Sequence, residues 1–487
     1  MTEQTRLVEE KLVKERKDKL QFWIEKEGNP YLANFTPRHS AQWIKDNYEE
    51  IKPGEKIDAE VWIAGRITTL RAHGKTSFAD IKDEKGKIQV YARKDVLGQR
   101  YTLFQKLDPG DIIGVKGKVF KTRTGEVTVQ ILQFSLLAKS LRSLPEKWHG
   151  LQDIELRYRK RYLDLLSNPE VKTVFLQRGL IVRLIRDFLN QRGFLEVETP
   201  MMQPIPGGAT ARPFKTHHQA LKQDFYLRIA PELYLKKLVV GGIEKVYELN
   251  RNFRNEGMDR FHNPEFTMLE VYSAYSDYTR MMTFTEELIC EIAKKAKGTL
   301  KIDYQGKKIN LSPPWKRIAF KDALKEIGGV EVDYDDEKEL RKVATESGLE
   351  VEGLRNEQIM EHLLDKHVVP ELIQPTFIFD YPSSTSPLAK RKEDNPSLIE
   401  RFEIFVGGEE LGNAYSELND PLEQRERLLE VKTRENSLDE DFLEALEYGM
   451  PPTAGLGIGI DRMVMLLTDS ASIRDVILFP QMRSKTS

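Results

Sequence analysis

Three stretches of this 487-residue chain collect side chains suited to phosphate chemistry. The first runs from Val246 to Tyr275 and contains F-R-N-E-G, a loop, then H-N-P-E-F-T-M-L-E. Arg254 there offers a planar fork that grips phosphate. Phe266 presents a ring face to a purine, and Glu256 is able to accept from an exocyclic amine, with His262 and Asn263 in the loop between. Such a set suits a nucleoside triphosphate. The second stretch, Ile399 to Asp420, carries Glu403 and Glu410 on either side of Gly407-Gly408. Carboxylates flanking one turn can face each other across a hairpin, and hard oxygen ligands of this kind hold Mg²⁺ between phosphates. A salt-bridged surface hairpin has the same sequence pattern. Asn413, Tyr415 and Glu417 follow on one face. The third stretch, Gly455 to Leu467, reads G-L-G-I-G-I-D-R-M-V-M-L-L, and places Gly459 and Arg462 where a glycine-interrupted strand enters an apolar helix. It is not a P-loop, since no Gly-Lys-Ser/Thr follows.

Strands must position these groups. Both ends of the first stretch alternate with period two, and Gly257, Asp259, Asn263 and Pro264 punctuate the loop between them. Parity puts Val246, Glu248, Asn250, Asn252 and Arg254 on one face of the incoming strand. On the outgoing strand Phe266, Met268, Glu270 and Tyr272 share a face, opposite a core-facing stripe of Thr267, Leu269 and Val271. Upstream, Gly207-Gly208 removes side-chain bulk and lets backbone approach something small. Glu232 follows Pro231 at a helix start, where a carboxylate also complements the helix dipole. Residues 170–200 read as a long helix stopping at Gly193, then a strand Phe194–Thr199. Residues 315–375 read as a helical insertion without chemical groups, including Asp336–Ser347 and Asn356–His367.

The front of the chain differs. Residues 1–54 read as a charged helical appendage lying in solvent. From 55 to 145 short alternating segments recur at Asp58–Ile67, Thr76–Ile81, Lys87–Ala92, Ile112–Val119 and Val127–Leu137. Five strands with one helical piece suggest a Greek-key barrel of the oligonucleotide-binding type. Over residues 55–140 there are 16 basic and 10 acidic residues, a local excess of six positive charges. Arg66, Phe78 and Gln89 on neighbouring strands can stack a base and read its edge, although Phe78 is equally suited to a core. Residues 146–169 read as a linker with the basic run Arg157–Tyr162.

Bulk properties set bounds. Lys+Arg 75 against Asp+Glu 77 gives a net charge of −2, so nucleic-acid contact must come from a local patch. A single cysteine, Cys290, rules out an internal disulfide framework and suits a reducing cytoplasm. No apolar run approaches the roughly 20 residues a bilayer requires.

The phrase from Phe253 to Glu270 resembles motif 2 of the class II aminoacyl-tRNA synthetases, and its details are most similar to the lysyl-tRNA synthetase family. Residues 170–200 resemble motif 1, the R-Y-R-K-R-Y-L-D-L run resembles the entry to the catalytic domain, and Gly455–Leu467 resembles motif 3. The class I signatures are absent. The resemblance implies an α+β fold: an antiparallel sheet of six or seven strands flanked by helices over 170–487, with the five-stranded barrel in front. It implies ATP-dependent ligation of L-lysine to tRNA(Lys) through a lysyl-adenylate, with Mg²⁺, in a cytoplasmic homodimer built through motif 1. Arg254, Glu256, His262, Asn263, Phe266, Glu403, Glu410, Gly459 and Arg462 would bind ATP, with Arg254 and Arg462 acting on the phosphates and Glu403 and Glu410 carrying Mg²⁺. Gly208, Glu232, Glu270, Tyr272, Asn413, Tyr415 and Glu417 would hold lysine, and Arg66, Phe78 and Gln89 the anticodon. Two other readings stand beside this one: a lysine ligase acting on a protein, and a non-catalytic tRNA-binding paralogue.

Overall fold

A computed structural model describes residues 3–32, 34–145, 151–209, 211–332, 336–430 and 438–484. The chain divides into two compact units, Met1–Leu151 and Gln152–Ser487.

In the first unit, strands β1 (Lys56–His73), β2 (Thr76–Lys82), β3 (Lys87–Arg93), β4 (Ile112–Lys121) and β5 (Val127–Ala138) close a barrel in the order β1-β2-β3-β5-β4. Period-two alternation sends Val61, Ile63 and Ile67 of β1 inward against Ile81, Val90, Val115 and Val129. The segment expected as a solvated appendage is part of this unit. Helix α1 (Glu3–Glu27) sets Trp23 into the barrel core, edge-on to Phe134 with ring centroids 5.9 Å apart. Buried Arg16 donates to the carbonyls of Ser140 at 2.8 Å and Arg142 at 2.9 Å. Residues 28–32 and 34–40 are not helical, and α2 (Ala41–Tyr48) starts at Ser40, whose hydroxyl accepts from the Trp43 N–H at 3.1 Å. The sequence signal is misleading because α1 has no clean apolar stripe; Trp23 and Phe22 pack on the barrel, and Arg16 and Lys19 bond to its loops.

The second unit is built on an eight-stranded sheet. Its strands are β6 (Leu195–Glu196), β7 (Lys245–Phe253), β8 (Glu265–Ala274), β9 (Lys316–Ala319), β10 (Thr376–Pro382), β11 (Leu398–Val406), β12 (Glu409–Ser416) and β13 (Thr453–Gly459). They lie in the order β9-β10-β11-β12-β13-β8-β7-β6. The pairs are antiparallel except β9 with β10 and β6 with β7 at the two edges. Both departures from the expected six or seven antiparallel strands come from short edge segments. Strand β6 pairs only through Leu195 and Glu196, rather than over Phe194–Thr199. Strand β9 occupies the start of the expected insertion, whose helices Glu337–Glu346 and Asn356–His367 follow.

Helices α3 (Pro169–Gln191), α5 (Tyr278–Lys297) and α6 (Ile460–Thr468) contribute to one core on one sheet face, with Ile185, Phe188, Ile289 and Val464 packed on Leu269, Leu456 and Ile458. Helix α4 (Glu232–Val240) belongs to a separate cluster with Val246 and Tyr272. Residues 146–150 of the expected linker lie outside the described residues. Its remainder forms two short helices, Ile154–Arg159 and Arg161–Ser167. Arg161 there is buried, pairing with Asp164 at 2.6 Å and donating to the carbonyls of Arg474 and Leu478. The basic run is therefore a clamp on the C-terminal segment.

Candidate active site

The sheet's second face is polar and has a floor without side chains. Strand β13 alternates Leu456 and Ile458 into the core with Gly455, Gly457 and Gly459 on the other face. Register sets Met268, Glu270 and Tyr272 of β8 opposite Gly459, Gly457 and Gly455. From the other side Asn413 and Tyr415 of β12 also meet Gly457 and Gly455. The glycines thus leave a trough walled by these side chains. A Cβ on Gly455 would lie 2.0 Å from Glu417 Oε1 and 2.6 Å from Tyr272 Cε1.

A bulge aligns the acidic hairpin with that trough. Gly407 and Gly408 both take positive φ, +73° and +85°, as the tight turn requires. Phe405 pairs with Glu410, but Ile404 then pairs with Gly412 and Glu403 with Asn413, so Leu411 is extra. Strict alternation would turn Asn413, Tyr415 and Glu417 away from Glu410. The inserted residue puts Glu403, Glu410, Asn413 and Tyr415 on one face. Gly412 permits the close approach, since a Cβ there would meet the Gly457 carbonyl oxygen at 2.3 Å.

At one end of the trough the guanidinium of Arg254 lies 5.2 Å over the Phe266 ring, and its buried Nε has no hydrogen-bond partner among the described residues. Arg462, in the first turn of α6, donates to the Glu410 carbonyl at 2.7 Å and to its carboxylate at 3.2 Å. It also donates to His262 Nε2 at 3.1 Å, which leaves the proton on Nδ1 to bond Asp259 at 2.7 Å. Gly459 is the N-cap of this helix. Asn263 is buried and turns its amide to the Glu265 carbonyl at 2.6 Å and to Gln481 at 2.9 Å. Glu256 is exposed in the loop, without a hydrogen-bond partner among the described residues.

Glu403 is half-buried between Arg401, which donates to one oxygen, and the Tyr381 hydroxyl, which donates to the other at 2.7 Å. Burial pushes its carboxyl up to about 7; Arg401 opposes this and Glu410 adds to it. The insertion reaches the same corner, contrary to its expected lack of chemical groups: burial, with Glu410 and Glu361 nearby, raises Asp365 to about 6. Among the described residues no group of three or more His, Cys, Asp or Glu side chains is arranged to hold a metal ion alone. Two hard carboxylates on one face still suit Mg²⁺, which is commonly bound by one or two carboxylates plus substrate phosphates.

The other end is strongly acidic and buried. Gly208 has φ +83°, and a Cβ on it would lie 3.0 Å from the Glu232 Cβ. Glu232 opens α4, and Lys236 one turn on is fully buried, with its ammonium 2.7 Å from Glu232 and 2.5 Å from Glu417. Glu248 stands opposite Glu270 in the sheet and is paired with Arg228 at 2.6 Å. Burial raises the Glu270 carboxyl well above its ordinary range, with Glu232 and Glu248 adding to the effect. Burial likewise lifts Glu417 to about 8, against Lys236 and with Glu232. Lys236, Arg228, Arg401, Tyr381 and Asp365 were not singled out from the sequence. A lysine in L-Y-L-K-K-L looks like a surface residue until the sheet covers it.

On the barrel, Phe78 stacks on Tyr91 with centroids 4.5 Å apart at 25°, and Tyr91 lies 5.7 Å from Phe120. Phe78 and Gln89 share the outer face, because Phe78 pairs with Tyr91 and Asp80 with Gln89. Gln89 accepts from the Thr128 hydroxyl at 3.0 Å, and Arg66 instead turns to the Gly110 carbonyl at 2.8 Å. Tyr91 and Phe120 extend this aromatic surface beyond the expected residues.

Residues 153–483 match the family described as tRNA synthetases class II (D, K and N), and residues 61–137 match the OB-fold nucleic acid binding domain. The chain is 57% identical to the protein named Lysine--tRNA ligase of Carboxydothermus hydrogenoformans, over 97% of this chain and 98% of that relative. It is 54% identical to the one so named of Moorella thermoacetica, over 98% of this chain and 99% of that relative. A third, of Pelotomaculum thermopropionicum, is 55% identical over 97% of this chain and 95% of its own. Among the described residues no helix is long and apolar enough to cross a membrane.

Proposed function

Because the chain belongs to the class II tRNA synthetases of the D, K and N group, we propose that it ligates L-lysine to tRNA(Lys) through a lysyl-adenylate, releasing AMP and pyrophosphate. The carrying observation is the acidic end of the trough. Glu232, Glu248, Glu270 and Glu417 are all buried, and Arg228 and Lys236 are the buried cations paired with them. Buried carboxyl groups in excess of cations suit an amino acid with a cationic side chain, whose ammonium draws them to the ionised form, and oppose aspartate, whose carboxylate would meet Glu270 and Glu417. An asparagine amide would leave buried charges unpaired, and sites built to bond a polar group reject analogues lacking it by roughly 10⁴ or more.

The lysine carboxylate is itself the nucleophile: its oxygen bonds to the α-phosphorus of ATP as the bond to pyrophosphate breaks. The protein's part is positioning and charge neutralisation. Gly208 and Glu232 would receive the α-ammonium, and Glu270, Tyr272, Asn413, Tyr415 and Glu417 the rest of the amino acid. Arg254, whose Nε is unpartnered among the described residues, would neutralise the α-phosphate and Phe266 would stack the adenine. Glu256 would accept from the adenine amine. Arg462 and His262 would hold the outer phosphates, beside Asn263 and Gly459. Glu403 and Glu410 would hold Mg²⁺, which supplies charge neutralisation to the phosphates when bound. On the barrel, Phe78 and Gln89 would take an anticodon base, with Arg66 nearby. The reading includes a cytoplasmic homodimer. In its favour, Leu176, Leu195, Met201 and Met202 in and after α3 are exposed large apolar side chains.

ATP–pyrophosphate exchange measured with each of the twenty amino acids tests the proposal. Lysine alone should support rapid exchange. Exchange driven by asparagine or aspartate, and not by lysine, would overturn it.

A further inference from the structure

We propose that Lys236 is a specificity-determining positioning residue: its ammonium, clamped between Glu232 and Glu417, fixes both carboxylates and cancels one of their charges, so that the pocket fits an amino acid with two ammonium groups. The inference rests on the lysine reading above and assigns that pocket a residue of its own that tunes it.

Lys236 is 0% exposed, which is rare for a lysine unless it is paired. Its partners come from distant parts of the chain: Glu232 one helical turn earlier at 2.7 Å, and Glu417 just beyond β12 at 2.5 Å. A compact ammonium with three donors can serve both carboxylates at once, where a planar guanidinium would impose its own fork. Left without it, the two buried carboxylates would repel, and one would take up a proton. A protonated carboxyl pairs with an incoming ammonium only by giving up that proton, which costs affinity.

The charges of the trough support the same assignment. Four buried carboxylates, Glu232, Glu248, Glu270 and Glu417, face two buried cations, Arg228 and Lys236. Among the described residues two carboxyl groups are left without a cation of their own, and burial favours their protonated form until an ammonium arrives; lysine brings two ammonium groups. Its carboxylate is left for Arg254 at the nucleotide end. Without Lys236 three of these carboxyl groups would lack a cation, more than one lysine can pair.

A merely structural ion pair would change melting and leave amino-acid recognition alone, so the test reads recognition. Lysine-dependent pyrophosphate exchange is measured for Lys236→Met and Lys236→Arg together with thermal melting. The Met variant should raise the KM for lysine by at least about tenfold, as expected when a buried charge loses its partner. Its KM for ATP and its kcat at saturating lysine should stay within about threefold, because the clamp touches neither Arg254 nor Arg462. The Arg variant keeps the charge without the compact geometry, so its lysine KM should rise less than in the Met variant, yet more than twofold. A lysine KM within twofold of wild type in either folded variant overturns the proposal. So does loss of a cooperative melt in both, which would assign Lys236 a structural role. Absence of lysine-dependent exchange in the wild-type protein would instead overturn the lysine reading itself.

Discussion

Adding one methyl to the trough floor separates its role in binding from its role in packing. Gly457 lies in register between Glu270 and Asn413. A Cβ there would meet Met268 Cε at 3.1 Å and Asn413 Oδ1 at 3.6 Å, and the flexible methionine can yield a few tenths of an ångström. Gly457→Ala should therefore fold, at a cost near the low end of the roughly 1–3 kcal/mol typical of overpacking. Each kcal/mol lowers the melting temperature of a unit this large by about 2–4 °C or less. Function should fare worse, because the methyl occupies space the ligand needs. A misplacement of about 1 Å costs roughly 100-fold, or about 2.7 kcal/mol of transition-state stabilisation. Gly455→Ala behaves differently: its Cβ would lie 2.0 Å from Glu417 Oε1, so the Glu417–Lys236 pair must move. Breaking a buried pair costs about 3–5 kcal/mol. Calorimetry and lysine-dependent exchange on both variants check the argument. Near-normal exchange in Gly457→Ala would refute the trough as the ligand floor, and an unshifted melt in Gly455→Ala would refute the packing account.

Glu403 and Glu410 changed singly to Gln should each raise the Mg²⁺ concentration needed for adenylate formation; unchanged dependence in both would make them structural ion-pair partners. Because burial lifts Glu403 to about 7, a proton competes with the cation below that pH. The wild-type Mg²⁺ requirement should climb as pH falls from 8 to 6 and flatten above, and Glu403→Gln should lose this slope; a slope that survives refutes the assignment. Phe78→Ala should weaken tRNA aminoacylation by roughly 5- to 150-fold, since base–aromatic stacking is worth about 1–3 kcal/mol. Pyrophosphate exchange should not change; if both activities fall and the barrel melts early, Phe78 is a packing residue.

What the sequence reveals tracks how local each cause is. The strands around Arg254 and Phe266 are legible because period-two alternation is a property of neighbouring residues, and β7 and β8 pair throughout in that register. The barrel strands are legible for the same reason. Strands β6 and β9 are too short to carry a period. The bulge at Leu411 escapes parity altogether, since an extra residue is visible only against its partner strand. Trp23 and Lys236 look like parts of charged helices, and only tertiary packing buries them. Asp365 was hidden in the same way, being carried to Glu410 by a helix that reads as ordinary.

The most direct test of the central claim is charging of unfractionated tRNA by the purified protein with radiolabelled amino acids. Lysine should become attached in an ATP-dependent, ribonuclease-sensitive form, with asparagine and aspartate excluded. Lysine found on protein and resistant to ribonuclease, or asparagine or aspartate attached to tRNA in its place, would contradict the account.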